Sequence, residues 1–241
     1  MGQTKRTNFK GKFADEYKLF KLTIPYLNEF EGTLGNVIKT HYFNSTQDQI
    51  TVLELGCGYG HTSKIILKSD KRTKITAIDN SMSLVKQAET FLKKSIKKDR
   101  VKLVLKDGLE YLKSVPAESF DVFASGLTIH NFDKKYRSSA LKEVFRILKP
   151  NGLFVNADKY PSDNIEEFKK ELKWELNRFN KLAEINRPDL MHKWKKHYLE
   201  DMKPNRIMKE NVALKEMNKI GFKNTKLIYK KYMLATVIAN K

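Results

Sequence analysis

Residues 50–60 read Ile50-Thr51-Val52-Leu53-Glu54-Leu55-Gly56-Cys57-Gly58-Tyr59-Gly60, an apolar run that ends in glycines at alternate positions. A short apolar run of this kind is typical of a buried parallel strand, and the glycines leave bare backbone at its carboxyl end. A helix N-terminus and a ligand can both approach such a bend. The stretch therefore predicts a nucleoside-binding site at the edge of an α/β sheet.

The spacing of the glycines distinguishes between classes of nucleoside ligand. A dinucleotide-binding fingerprint, G-x-G-x-x-G, would require glycine at position 61, where His61 stands. The pattern is instead acidic-x-G-x-G-x-G, beginning at Glu54. Because a carboxylate at a strand end repels a pyrophosphate and attracts a cation, the pattern favours a ligand that carries a positively charged amine or sulfonium.

A second acidic residue follows the next apolar run, Lys74-Ile75-Thr76-Ala77-Ile78-Asp79-Asn80-Ser81. Asp79 comes at the end of this run, about one strand–helix unit after Glu54. An acidic side chain at the tip of the next parallel strand can accept hydrogen bonds from ribose hydroxyls. Two neighbouring strand ends are therefore predicted to hold one nucleoside.

With both acidic residues in place, the sequence resembles the class I S-adenosylmethionine-dependent methyltransferases. Further signatures of that family are present in its own order, at residues 103–108, 119–126 and 141–155. The likeness covers roughly residues 50–158. It implies an α/β fold with a doubly wound, mostly parallel seven-stranded sheet, a C-terminal antiparallel hairpin and a helical insertion after strand five.

The alternation of apolar runs and helical periodicity agrees with a parallel sheet that has helices on both faces. We expect one domain of 241 residues, because the chain can bury one substantial core and contains no long flexible linker. Its predicted parts are an N-terminal helical cap at 1–45, a cofactor-binding core at 50–158, a helical lid at 159–205, and a last helix with two antiparallel strands at 206–241.

Element boundaries follow from the same periodicity and from residues that begin or end helices. Thr62 or Ser63 is expected at the amino end of the first core helix, Ser81 at that of the second, and Lys230-Lys231 as the connection of the closing hairpin. The predicted strands cover 50–55, 74–78, 101–105, 120–125, 153–157, 224–229 and 232–239, and the predicted helices cover 60–68, 81–97, 134–148, 163–200 and 208–219.

The resemblance assigns cofactor-binding roles, with S-adenosylmethionine as the cofactor and S-adenosylhomocysteine as its product. Glu54 would face the amino group of the cofactor, the glycines would pass close to its methionyl and ribose parts, and Asp79 would bind the ribose. Plain turn chemistry remains the alternative, since Gly, Asp, Asn and Ser also favour loops. The residues assigned to the cofactor are Glu54, Gly56, Cys57, Gly58, Gly60, Asp79, Asn80, Met82 beside the adenine, Asp107 and Gly108 at the adenine amino group, and Ser125.

Two residues are candidates for the acceptor side of the reaction. His130 follows strand four, where the family carries acceptor-side groups, and its imidazole titrates near neutrality, so it could act as a base. It could equally begin the following helix, with Asn131 or Asp133 as the cap. Tyr17 could close over the sulfonium from an N-terminal flap, or it could simply pack an amphipathic segment.

Several motifs are absent from the sequence, and their absence narrows the range of reactions that the chain could catalyse. No Asn-Pro-Pro-Tyr or Asp-Pro-Pro-Tyr tetrapeptide follows strand four, which disfavours methylation of exocyclic nucleobase amines. Cys57 is the only cysteine, which excludes an internal disulfide and a cysteine zinc site, and no pair of histidines at i, i+4 suggests a metal. Small-molecule methylation remains, as in the quinone-biosynthesis methyltransferases. The run Ala77–Ser81 also resembles carboxy-S-adenosylmethionine synthases, without an identifiable arginine for the carboxylate.

The charge leaves the class of partner open. Lys and Arg number 47 against 28 Asp and Glu, for a net charge of +19, which would suit an RNA acceptor. The lysines are scattered along the chain, which favours a solvated surface instead. No apolar run is long enough for a membrane span, and we expect a cytoplasmic protein. Three interpretations stay open: a small-molecule methyltransferase, an RNA-modifying methyltransferase, and a non-catalytic S-adenosylmethionine-binding protein.

Overall fold

The computed structural model describes residues 16–241, without the side chains of Tyr17 and Lys18. In this part of the chain, seven strands form one sheet in the order β3-β2-β1-β4-β5-β7-β6. Strands β1 to β5 pair in parallel, and β7 is antiparallel to both of its neighbours. This confirms the predicted fold class. The strands are β1 Ile50–Leu55, β2 Thr73–Asp79, β3 Val101–Leu105, β4 Phe120–Gly126, β5 Leu148–Lys159, β6 Lys223–Lys231 and β7 Leu234–Asn240.

Helices connect the parallel strands and extend the chain beyond them. In the described residues they are α1 Tyr17–Lys21, α2 Leu27–His41, α3 His61–Ser69, α4 Met82–Phe91, α5 Lys93–Lys97, α6 Gly108–Ser114, α7 Lys134–Ile147, α8 Ile165–Arg178, α9 Asn180–Glu184, α10 Pro188–Asp201 and α11 Glu210–Ile220, with a 3-10 turn at Ile129–Asn131. None of the helices described is long and apolar enough to cross a lipid bilayer.

Strand β1 is central because both of its faces carry apolar side chains. Val52 packs into one buried cluster and Leu53 into another, as the two-residue alternation of a strand requires. Leu53 is also in register with Thr76 of β2 and Phe123 of β4. The carboxyl ends of β1, β2 and β4 therefore meet at one edge of the sheet.

The closing hairpin differs from the prediction in its turn. Lys231 pairs with Leu234, so the connection is Tyr232-Met233 and not Lys230-Lys231. The reason is burial: Met233 is fully buried under α10, where its sulfur lies 3.8 Å from the Tyr198 hydroxyl. This contact joins residues that are distant in sequence, so local patterning does not predict it. The observed turn therefore lies two residues after the predicted one.

The region predicted as one helical stretch at 163–200 is helical but contains three helices. A break follows Arg178, and Pro188 begins α10 at its first turn, where a missing N–H costs nothing. Trp194 packs on Phe20 with ring centroids 4.4 Å apart, and both Trp194 and Tyr198 are buried. These two residues belong to the core beneath the lid, formed by α8, α9 and α10, rather than to a pocket wall.

Helix termini depart from expectation in two further places. Gly60, with φ of +92°, is the N-cap of α3, because the Ser63 hydroxyl is used by Glu54 instead. The predicted helix 81–97 is broken at Leu92, a buried residue that packs against Gly60. Asp133 caps α7 by accepting from the Tyr136 N–H, as one of the two alternatives predicted.

Candidate functional site

A cleft lies at the edge of the sheet where β1, β2, β3 and β4 end. It encloses about 720 Å³ of empty space, part of which is open to solvent. Its walls combine apolar side chains with glycine backbone and a few polar groups, as is usual for small-molecule sites. The lining residues are Leu55, Gly56, Gly58, Ile78, Asp79, Asn80, Leu84, Lys106, Gly108, Gly126, Leu127, Thr128, Asn131, Phe132 and Tyr136.

The glycine bend forms one wall of this cleft. Gly56 has φ of +73°, and a Cβ at this position would lie 2.1 Å from the Thr128 hydroxyl oxygen. That hydroxyl donates to the Gly56 and Gly126 carbonyls, at 3.3 and 3.1 Å. Gly58 also has a positive φ, +54°, but a Cβ there would meet nothing within 4 Å. Gly56 is therefore required by close packing, whereas Gly58 leaves open space beside the cleft.

Asp79 fixes the bend from the neighbouring strand. Its Oδ2 accepts from the Gly58 N–H and its Oδ1 from the Ser81 N–H, both at 2.9 Å. Burial raises the pKa of Asp79, and the backbone N–H groups of Ser81, Gly58 and Asn80 oppose that shift. Because a carboxylate has about four lone-pair sites and these N–H groups take three, Asp79 can still accept a hydrogen bond from a diol in the cleft.

Asp107 is held in place by a tyrosine from a distant helix. Its Oδ1 accepts from the Glu110 N–H at 3.1 Å, as the N-cap of α6, and from the Tyr136 hydroxyl at 2.9 Å. The Tyr136 oxygen in turn accepts from the Leu109 N–H at 2.8 Å. The carboxylate is thus oriented before any ligand binds, and Gly108 lies next to it in the cleft wall.

Glu54 lies beneath the cleft and is fully buried. Its Oε2 accepts from the Ser63 hydroxyl at 2.5 Å, whereas its Oε1 has no hydrogen-bond partner in the described residues. Burial raises the pKa of Glu54 to about 7, although the hydrogen bond from Ser63 opposes the shift. The chain thus buries a carboxyl group that titrates near neutrality directly under the glycine bend.

Six predicted cofactor-binding residues do not line the main cleft: Glu54 beneath it, Asp107 beside Gly108, and Met82, Ser125, Gly60 and Cys57. Met82 is 54% exposed, and Leu84, two residues further on, lines the cleft instead because it is on the inner face of α4. Ser125 is buried and donates to the Leu55 carbonyl, and Gly60 packs against Leu92. Cys57 is buried too, and burial raises the pKa of its thiol.

Cys57 lines a smaller cavity behind the glycine bend, together with charged side chains from α1, α2 and α3. Lys21 donates to Glu31 Oε1 at 2.6 Å, and His61 Nε2 lies 2.6 Å from Glu31 Oε2. Burial raises the pKa of Glu31, but the hydrogen bond from His61 and the charge of Lys21 outweigh it and lower the pKa overall. This ion cluster fixes the N-terminal helices against the bend.

Of the two candidates for the acceptor side, the structure describes the side chain of His130 only. His130 is buried and does not line the cleft; its Nδ1 is hydrogen-bonded to Asp158, and Asp158 also accepts from the His130 N–H. The geometry therefore turns this imidazole away from the cleft. Tyr17 begins α1, and its side chain lies outside the described residues.

Sequence reasoning missed several residues that line the cleft. Thr128, Asn131, Phe132 and Tyr136 come from the segment after β4, and Lys106 follows β3. The feature of the sequence that indicates these residues is their position, since each one follows the carboxyl end of a core strand. Leu127 also lines the cleft and has a φ of +52°, a conformation that is unusual for leucine.

The cleft can hold a nucleoside. Asp79 in the cleft wall can accept from a diol, and Ile78, Leu84 and Phe132 offer apolar contact for a base. The buried Glu54 provides negative charge on the side of the glycine bend.

Comparison with known proteins gives consistent results. The family model for a methyltransferase domain matches residues 53–156. A demethylmenaquinone methyltransferase of Leptospira interrogans is 32% identical over 163 residues, which are 65% of this chain and 64% of that protein. The chain therefore spans less than two thirds of the length of this relative.

One further relative and one solved structure match over nearly the whole chain. A carboxy-S-adenosyl-L-methionine synthase of Shewanella piezotolerans is 22% identical over 97% of this chain and 92% of its own length. The crystal structure of a SAM-dependent methyltransferase from Aquifex aeolicus superposes with a TM-score of 0.60 at 16% identity, covering 94% of this chain and 98% of that one. At this identity the structural likeness establishes the fold.

Proposed function

Because this chain belongs to the class I S-adenosylmethionine-dependent methyltransferases, we propose that it binds S-adenosylmethionine in the cleft and transfers its methyl group to a small-molecule acceptor. One observation carries the proposal. Asp79 and the buried Glu54 come from neighbouring strand ends and flank a bend whose tightest point, Gly56, cannot accept a side chain. Such a pair suits a cationic nucleoside and repels a diphosphate.

The residues present fit this cofactor in kind and in position. Asp79 would accept from the ribose hydroxyls, Asp107 from the adenine amino group, and Glu54 would balance the charge of the α-amino group through water. Ile78, Leu84 and Phe132 would contact the adenine ring. The cofactor supplies an activated methyl group on a sulfonium and leaves as S-adenosylhomocysteine.

This chemistry asks little of the protein beyond positioning. In-line displacement requires the acceptor atom and the methyl group to be aligned at close distance, with water excluded. The lid and α1 cover the side of the sheet next to the glycine bend, where they can exclude water. A general base is needed only for an acceptor that is protonated, and His130 in its present orientation cannot provide it from inside the cluster with Asp158.

A small-molecule acceptor is supported by the relatives and by the shape of the site. The relatives are named for demethylmenaquinone and for carboxy-S-adenosyl-L-methionine, both small molecules. The cleft is a partly enclosed pocket with aromatic side chains, and Lys106 is the one basic side chain that lines it among the described residues. An RNA substrate would instead favour an open groove with many basic groups.

A direct test combines binding with product analysis. Calorimetry should show one site for S-adenosylmethionine and no binding of NAD. A labelled-methyl screen over metabolite and RNA fractions, with mass spectrometry of the adenosyl product, then distinguishes the outcomes. Label in a metabolite supports the proposal, whereas label in RNA, a carboxylated adenosyl product, or binding without any transfer to the screened fractions each contradicts it.

Replacing Asp79 by asparagine should weaken S-adenosylmethionine binding about ten- to a hundredfold, the value of a charge-assisted hydrogen bond of roughly 1.5 to 3 kcal/mol. The carboxylate is expected to accept from the ribose while it also accepts from Gly58 and Ser81. Calorimetric affinity is the measurement. Asp48→Asn, at an exposed position before β1, is the matched control. An Asp79→Asn variant that is folded and binds with unchanged affinity would remove the ribose assignment.

A further inference from the structure

A second polar centre lies beneath the lid, separate from the cleft. It is formed by His130 after β4, by Asp158 and Lys159 at the end of β5, and by His197 and Asp201 one helical turn apart on α10. Four of these residues are buried, and the side chain of His197 is only 9% exposed. Elements that are distant in sequence thus bring two imidazoles and two carboxylates to one place.

The orientation of His130 determines which of its nitrogens is available. Its Nδ1 is hydrogen-bonded to Asp158, so its Nε2 points toward α10. There it lies 3.7 Å from Asp201 Oδ2, and His197 Nε2 lies 3.6 Å from the same oxygen. Both distances are longer than a hydrogen bond. They are close to the separation of two ligand atoms around one tetrahedral ion, about 3.4 Å for bonds of about 2.1 Å.

We propose that His130, His197 and Asp201 form a binding site for one divalent transition-metal ion of the zinc class. One ligand atom from each of the three lies within 4.8 Å of the others. Three atoms so arranged lie within about 2.8 Å of a common point, so side-chain shifts of roughly half an ångström bring each to the 2.0–2.2 Å of a zinc bond. Two histidines and a carboxylate are a donor set that zinc accepts.

Asp158 supports the site from outside the ligand set. A carboxylate on the second nitrogen of a metal-binding imidazole is the common arrangement, because it fixes the tautomer and makes the ligand more basic. Here Asp158 accepts from the His130 backbone N–H as well as from its ring. His197 and Asp201 have the i, i+4 spacing of a helical ligand pair, although they are not a pair of histidines. The inference therefore departs from the expectation of no metal.

Lys159 competes with the ion for Asp201. Its ammonium lies 2.8 Å from Asp201 Oδ2 and 4.0 Å above the centre of the Tyr198 ring. An ion that binds Asp201 would displace the ammonium toward the ring, which already faces it and is a favourable neighbour for a cation. Such an ion would tie α10 of the lid to the ends of β4 and β5.

Cobalt is the probe, because tetrahedral Co²⁺ is coloured. Chelator-treated full-length protein titrated with Co²⁺ should develop visible absorption that saturates at one equivalent, that Zn²⁺ abolishes, and that accompanies a rise in melting temperature. His197→Gln should weaken Co²⁺ binding about tenfold or more. His192→Gln, an exposed histidine on the same helix, is the control and should bind as the native chain does.

The Lys159→Met variant distinguishes a metal-binding site from a cluster of ion pairs that binds no metal. Removing the ammonium should tighten Co²⁺ binding at least about tenfold, because the repulsion between two cations a few ångströms apart exceeds one tenfold step even at an effective dielectric constant of about 20. The metal-free variant should melt lower than the native chain and recover with Zn²⁺. Failure of the native chain to bind Co²⁺, unchanged affinity in folded His197→Gln, or a Lys159→Met variant that Zn²⁺ does not stabilise would each overturn the proposal.

Discussion

Gly56→Ala is expected to lower the free energy of unfolding by about 3 kcal/mol and to abolish detectable binding of S-adenosylmethionine. Two effects add. A residue with a Cβ costs about 1–2 kcal/mol in the left-handed region, and Gly56 has φ of +73°. The new methyl group would also overlap the Thr128 side chain, whose hydroxyl oxygen lies 2.1 Å from the Cβ position, and overpacking costs about 1–3 kcal/mol.

Denaturant unfolding measures this effect, and two further variants test its cause. Gly32→Ala is the matched control, because Gly32 lies inside α2 and a Cβ there meets nothing within 4 Å. It should leave stability unchanged or raise it by up to about 1 kcal/mol. Adding Thr128→Gly to Gly56→Ala should recover the part due to overlap and leave the part due to φ. A Gly56→Ala variant as stable as the native chain would show that the bend has a different conformation.

Glu54→Gln is expected to change how stability depends on pH. Burial raises the pKa of Glu54 to about 7 from a usual value of 4.5, so the native state holds a proton there that the unfolded chain releases. The stability that this proton contributes is fully present below about pH 4.5 and is lost as the pH rises through about 7. The loss amounts to roughly 3 kcal/mol, since one pKa unit corresponds to about 1.4 kcal/mol.

Glutamine has no proton to lose, so the variant should lack this part of the pH dependence. The difference in unfolding free energy, variant minus native, should therefore increase by about 3 kcal/mol between pH 4.5 and pH 8. Comparing the two chains across pH cancels any constant cost of the new amide beside Ser63. Glu118→Gln, at an exposed position, should give a flat difference. A flat difference for Glu54→Gln as well would mean that Glu54 is ionised throughout the window.

Binding of the proposed cofactor should be coupled to the ionisation of Glu54. If the amino group of S-adenosylmethionine faces Glu54, the bound state favours the carboxylate, so binding should release a proton below pH 7 and strengthen as the pH rises through that value. Calorimetry in buffers of different ionisation enthalpy detects the release, and Glu54→Gln should remove it. The carboxyl that destabilises the free protein at neutral pH is then the group that the cofactor neutralises.

The strand ends could be predicted well because their signals are local. The run 50–55 was predicted as a strand and is β1, and Asp79 ends β2 as expected. Both depend on apolar patterning over a few residues and on glycine in a backbone conformation that other residues avoid. The hydrogen bonds of Asp79 to Gly58 and Ser81 follow directly from that arrangement.

Side chains whose role depends on distant partners could not be predicted in the same way. Tyr136 orients Asp107 across 29 positions of sequence, and Thr128 fills the space beside Gly56 across 72. Its position after β4 makes His130 a candidate base, with the start of a helix as the alternative, yet the direction of its ring is fixed by Asp158 on the next strand. No window of sequence contains both partners of such a contact.

The amino-acid sequence by itself determined the α/β fold, the glycine bend and the pair of acidic strand ends, because hydrophobic periodicity and backbone freedom are properties of neighbouring residues. Only the tertiary structure decided that Glu54 is fully buried, that the closing turn is Tyr232-Met233, and that two histidines, one after β4 and one on α10, meet at Asp201. Burial and charge proximity are created when remote segments pack, and they alone set the pKa of Glu54 and the geometry beneath the lid.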